Sequence, residues 1–215
     1  MVVRGVVVAA QPAYVFDMAR TLNNLSPRLA DLGRHEEALS TIEEAVAGYR
    51  HLVATRNAFR RELAASLNNL SLCLADLHRP EDALAAIEEA TTILWQLGRD
   101  RPNAIVPDLA TSLWALAWVH DMLDLATDAA AVADRQAVGV YERLATRADA
   151  SRRLPSAAQT LARMLDRLGR ADEASAVRAR YGLDPDTSAL RPSIGLREFG
   201  WYSSLGSTGV GPKAH

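Results

Sequence analysis

The chain has 215 residues, 49% of them apolar, with 24 Lys and Arg against 26 Asp and Glu for a formal net charge of −2, and one cysteine. That balance excludes a general nucleic-acid binder, which needs clustered excess positive charge. No run of about eighteen apolar residues is present to span a bilayer, and the lone Cys73 excludes an internal disulfide.

From the N-terminus, residues 1–11 read as an extension: MVVRGVVVAA has one Arg and an apolar run shorter than a secretory core, and the repeat region follows directly, so a cytoplasmic chain without cofactor is expected. From Thr21 the chain reads TLNNLSPRLADLGRHEEALSTIEEAV, and from Ser66, 45 residues on, it reads SLNNLSLCLADLHRPEDALAAIEEAT. Weaker copies begin at Ser112 and Ala157, keeping Leu113, Leu116, Leu161 and Leu165 and the alanines Ala129 and Ala174. A repeat of this length implies units that bury their apolar faces only against each other.

Within each unit the apolar residues have helical spacing, as in Leu22, Leu25, Leu29 and Leu32 and again in Leu67, Leu70, Leu74 and Leu77. Gly33-Arg34, Arg79-Pro80 and Gly169-Arg170 then break the stripe, and acids open the next helix at Glu36, Glu37, Glu81, Asp82, Asp172 and Glu173, where the helix dipole favours them. The spacing predicts helices near 17–32, 36–55, 59–77, 81–97, 108–123, 126–146, 154–168 and 171–181. The expected fold is an all-α solenoid of four antiparallel hairpins over residues 12–181. Cys73, among the repeat leucines, reads as a buried thiol.

The order Leu22, Leu25, Ser26, Leu29 followed by Ala38, Ile42, Ala45, repeated as Leu67, Leu70, Ser71, Leu74 and Ala83, Ile87, Ala90, resembles the tetratricopeptide repeat family. Small residues at Ser26, Ala38 and Ala45 let helices approach closely enough to interlock. The units are about eleven residues longer than the family's usual 34, which resembles its kinesin-light-chain-like subgroup, and the Arg-rich style is similar to bacterial arrays. A HEAT-type repeat has a period in this range but lacks the small-residue pattern.

The resemblance implies that the first helix of each unit lines an inner surface that holds ligand, here Arg20, Asn23 and Asn24, Asn68 and Asn69, Trp114 and Trp118, then Gln159 and Arg163. A carboxamide can donate to and accept from the main chain of an extended peptide, and two indoles four residues apart on a helix can form an aromatic anchor. Tying neighbouring units together is the other reading of the asparagines, and core packing that of the tryptophans. Arg20 and Arg163 are too few for the family's carboxylate clamp. Pro27 removes an amide within its helix and crowds the carbonyl of Asn23.

Residues 103–134 hold five acids and no Lys or Arg, whereas residues 143–180 hold nine arginines and four acids, a pattern of solvated faces or of steering toward a charged partner. Phosphate-loop, dinucleotide, H-E-x-x-H and paired-Cys motifs are absent. His120, Asp124 and Asp128 straddle a helix break and read as a polar edge rather than a metal site. From Gly182 the sequence turns Gly-, Ser- and Pro-containing and reads as a mobile tail over 182–215, with Phe199, Trp201 and Tyr202 able to dock. The chain is expected to be a non-enzymatic scaffold for a protein or peptide, with possible pairing of copies through solenoid ends. The alternative is a detached sensor or oligomerisation segment of a signalling system whose NTPase or protease is a separate chain.

Overall fold

The computed structural model describes residues 11–100, 102–123, 127–143 and 148–184. Among the described residues eight α-helices follow one another: α1 Pro12–Asp31, α2 His35–Thr55, α3 Arg60–Asp76, α4 Pro80–Asp100, α5 Pro102–Met122, α6 Asp128–Arg143, α7 Ala148–Arg167 and α8 Ala171–Tyr181. A short 3-10 turn, Asn57–Phe59, precedes α3. Each helix packs along its neighbours in the chain, and the odd-numbered helices also touch one another across units, α1 on α3, α3 on α5 and α5 on α7. Four hairpins thus stack as an all-α solenoid, with no strand among the described residues. No described helix is long and apolar enough to cross a membrane.

The leucine stripes locate helix interiors but miss some first turns. α1 starts at Pro12 rather than 17, α5 at Pro102 rather than 108 and α7 at Ala148 rather than 154. A proline in the first turn loses nothing, since that amide has no intrahelical partner, and the stripe begins only where a helix meets its neighbour. Pro27 lies inside α1 without ending it. The tail aromatics Phe199, Trp201 and Tyr202 lie outside the described residues.

Three of the four hairpins share one turn. The residues Gly33, His78 and Gly169 have φ of 74°, 56° and 71°. Around each, an amide five residues on reaches back to the helix: Arg34 N to Leu29 O at 2.9 Å, Arg79 N to Leu74 O at 2.9 Å and Arg170 N to Leu165 O at 2.8 Å. Each is a Schellman C-cap, for which the left-handed residue is the geometric requirement. The arginine that closes the turn then pairs with an acid in the next helix, Arg34 Nε with Glu37 at 2.6 Å, Arg79 Nε with Asp82 at 2.8 Å and Arg170 Nε with Glu173 at 2.6 Å. The third hairpin uses a different start, in which Thr127 Oγ1 accepts the amide of Ala130 at 3.1 Å, a conventional N-cap.

Small residues mark the closest approaches. Ser26, Ser71, Ala117 and Ala162 form one fully buried column, and Ala38, Ala83, Ala130 and Ala174 form the column opposite. In the third unit the buried pair is Ala130 and Ala137, spaced like Ala38 and Ala45, so the inter-helix turn there has one residue more than the 46-residue offset of Ser112 from Ser66 implies. Gly48 of α2 is a close approach in the first hairpin, where an added Cβ would lie 3.1 Å from the Cβ of Ala19. Gly48→Ala is expected to change stability little, because helix propensity gains about 1 kcal/mol against a contact that must yield by a few tenths of an ångström. Gly48→Leu has no room and should cost about 1–3 kcal/mol, measured by urea denaturation.

Candidate binding surface

The inner helices α1, α3, α5 and α7 are held together by a ladder of buried polar side chains. Asn23 Oδ1 accepts from Ser66 Oγ at 2.8 Å and from Asn69 Nδ2 at 3.1 Å. Asn68 Nδ2 donates to Ser112 Oγ at 2.8 Å, and Trp114 Nε1 donates to Thr160 Oγ1 at 3.4 Å. Ser26 Oγ donates to the carbonyl of Ala38 at 2.8 Å and lies 3.4 Å from Cys73 Sγ. Burial pushes the Cys73 thiol up to about 11, so it is a packed group and not a ready nucleophile at neutral pH.

This ladder takes up much of the expected ligand set. Asn23, Asn68 and Asn69 are buried, and so are Trp114 and Trp118. Trp114 is only 1% exposed and stands edge-on to Tyr141 at 6.4 Å between ring centres. Arg163 is buried, with Nη2 3.6 Å from Asp121 Oδ2. At the surface lie Arg20, bonded to Asp17 at 3.0 Å and stacked over Phe16, and Asn24. Gln159 is half-buried, and its Nε2 has no hydrogen-bond partner among the described residues. The asparagine doublets therefore divide in unit one, Asn23 inward and Asn24 outward, but both members face inward in unit two, which has a helix on either side.

His120 is half-buried; burial lowers its pKa and the nearby Glu88 opposes that. Asp124 lies outside the described residues, and Asp128 is exposed and accepts from Arg170, the residue before α8, at 3.2 Å. Among the described residues no three metal-ligating side chains come together.

A charged cluster lies where α5, α6 and α7 meet, and it is absent from the sequence reading. Asp121 of α5 receives Arg167 Nη1 at 2.8 Å and faces Arg163. Asp134 of α6 is 1% exposed, and neither carboxyl oxygen has a hydrogen-bond partner among the described residues. Burial, reinforced by Asp121 and opposed by Arg163, holds its pKa well above the ordinary carboxylate range. Counting four residues from the buried alanine of each outer helix gives Ile42, Ile87, Asp134 and Arg178. The acid occupies a core position that is isoleucine in the first two units.

Stacked helix hairpins with small-residue columns and a common turn define a tetratricopeptide-type repeat protein. Residues 18–55, spanning most of α1 and all of α2, match the tetratricopeptide repeat family model. The fold is similar to that of a kinesin-light-chain-like protein of Podosopora anserina built from nearly identical TPR-like repeats, at TM-score 0.62 and 18% identity over 80% of this chain and 74% of that one. A single-substitution variant of the same protein matches at TM-score 0.57 and 17% identity, covering 76% and 73% of the two chains. No curated protein matches the sequence.

Proposed function

We propose that the chain is a cytoplasmic interaction scaffold that holds an extended peptide or partner helix along its inner helices. What supports the reading is a stack of hairpins whose inner helices bond one another through Asn23, Asn68, Asn69 and Trp114, which leaves other polar side chains of the same helices for contact. Asn23, Asn68, Asn69, Trp114, Trp118 and Arg163 then position the wall, while Arg20, Asn24 and Gln159 meet the ligand. A second reading, pairing of copies through the solenoid end, draws support from the first hairpin, where Tyr14 of α1 and Leu32, just past its end, are exposed by 61% and 72%.

Affinity capture from a lysate, comparing wild type with the triple variant Arg20→Glu, Asn24→Arg, Gln159→Arg, tests the proposal. At least one partner should fall about tenfold in recovery, as expected when an interface centre is lost, with the helical circular dichroism unchanged. Persistence of every captured protein sinks the inner-face reading. Light scattering of wild type against Leu32→Glu tests pairing separately.

A further inference from the structure

The outer helices are braced across units by ion pairs at one recurring position. Arg50 of α2 donates to Glu89 of α4 at 2.6 Å, and Arg180 of α8 donates to Glu142 of α6 at 2.6 Å. The matching positions at the middle junction, counted from the buried alanines Ala38, Ala83, Ala130 and Ala174, are Trp95 of α4 and Gln136 of α6. No ion pair among the described residues joins α4 to α6. Instead an open groove of about 410 Å³ lies there, lined by Trp95, Val132, Arg135, Gln136, Gly139, Val140 and Arg143.

Trp95 is 45% exposed and Val132 48% exposed. The floor is bare at Gly139, where an added Cβ would meet nothing within 4 Å. The rim is basic: Arg143 lines the groove, Arg99 lies one turn beyond Trp95, and both are exposed with no ion pair among the described residues. Arg135 also lines it but already holds Glu173 at 2.6 Å. Among the described residues no acidic side chain lines the groove.

We infer that this outer groove is a second binding site, distinct from the inner face, for a short acidic segment of another protein that carries one large apolar side chain. The apolar group packs against Trp95, Val132 and Val140 over the bare backbone of Gly139, and flanking carboxylates reach Arg143 and Arg99. The chain's own C-terminal stretch is a poor complement in charge, since residues 185–215 carry Arg191, Arg197 and Lys213 against Asp186 and Glu198.

The test is fluorescence anisotropy with a short labelled peptide of Asp and Glu around one central Phe, and with its counterpart bearing Lys for every acid. Wild type should bind the acidic peptide at low salt and not the basic one. Gly139→Leu starts a side chain in open space, where an added Cβ meets nothing within 4 Å, and favours the helix; with its helical circular dichroism unchanged it should weaken binding about tenfold, as should the double change Arg99→Glu, Arg143→Glu. Arg20→Glu on the inner face should leave binding unchanged, which separates this site from the proposed inner one. Equal binding by wild type and Gly139→Leu, equal binding of both peptides, or no binding of the acidic peptide overturns the inference. So does a wild-type dimer that Gly139→Leu converts to monomer, because the occupant is then a second copy.

Discussion

Replacing Asp134 with valine is expected to stabilise the chain by about 1–3 kcal/mol, as buried ionisable groups exchanged for packed apolar ones commonly do. The side chain sits in the core column that holds Ile42 and Ile87, and its two oxygens have no hydrogen-bond partner among the described residues. A carboxyl so placed is stable only as the neutral acid, which is the direction in which burial and Asp121 push it. The sign of the pH dependence follows. The folded form keeps a proton that the unfolded chain releases above about pH 4. Stability from this group is therefore complete below that pH and is lost as pH rises toward the folded pKa, at up to about 1.4 kcal/mol per pH unit. Urea denaturation across that range should show the decline in wild type and a flatter profile in both Asp134→Val and the isosteric Asp134→Asn. Parallel profiles for all three proteins would mean that Asp134 is ionised in the fold.

Asn23→Leu should have the opposite effect, a loss of about 2–4 kcal/mol. Its side-chain oxygen is the shared acceptor for Ser66 and Asn69, both buried. Removing it strands two donors away from water, each costing about 1–3 kcal/mol. Ser66→Ala removes one donor and leaves Asn23 bonded to Asn69, so it should cost only about 1 kcal/mol. Exposed Asn24→Ala should stay within about 0.5 kcal/mol of wild type. The order of the three midpoints in urea is the test: if Asn23→Leu is no worse than Asn24→Ala, the asparagines are not the rungs that hold α1 to α3.

The fold was legible because its information is local. Leu22, Leu25, Leu29 and Leu32 state a helix, Gly33-Arg34 its end, Ser26 and Ala38 its contact with the next, and a second copy states all of it again. First turns were not legible, since residues such as Pro12 and Pro102 precede the stripe. The inner face was harder, because an asparagine offered to a ligand and one offered to the neighbouring helix look alike until the partner some 45 residues away is known. Asp134 was missed for a related reason: the additional turn residue of the third unit shifts it onto a position that a constant offset assigns elsewhere. Trp95 stands out only beside Gln136, when the Arg50–Glu89 and Glu142–Arg180 braces are seen on either side.

The ladder also has a broken rung. Asn68 holds in unit two the place that Asn23 holds in unit one, yet its oxygen has no hydrogen-bond partner among the described residues, because Ala115 stands where Asn69 would be repeated. Ser112 already stands where Ser66 is repeated, bonded to the amide nitrogen of Asn68, so a duplicate of unit two spliced in after the original would present the one donor that is missing, an asparagine in place of Ala115. On the inner helices the joint between the second and third units is thus one donor short of the joint before it, and a further copy of unit two carries that donor.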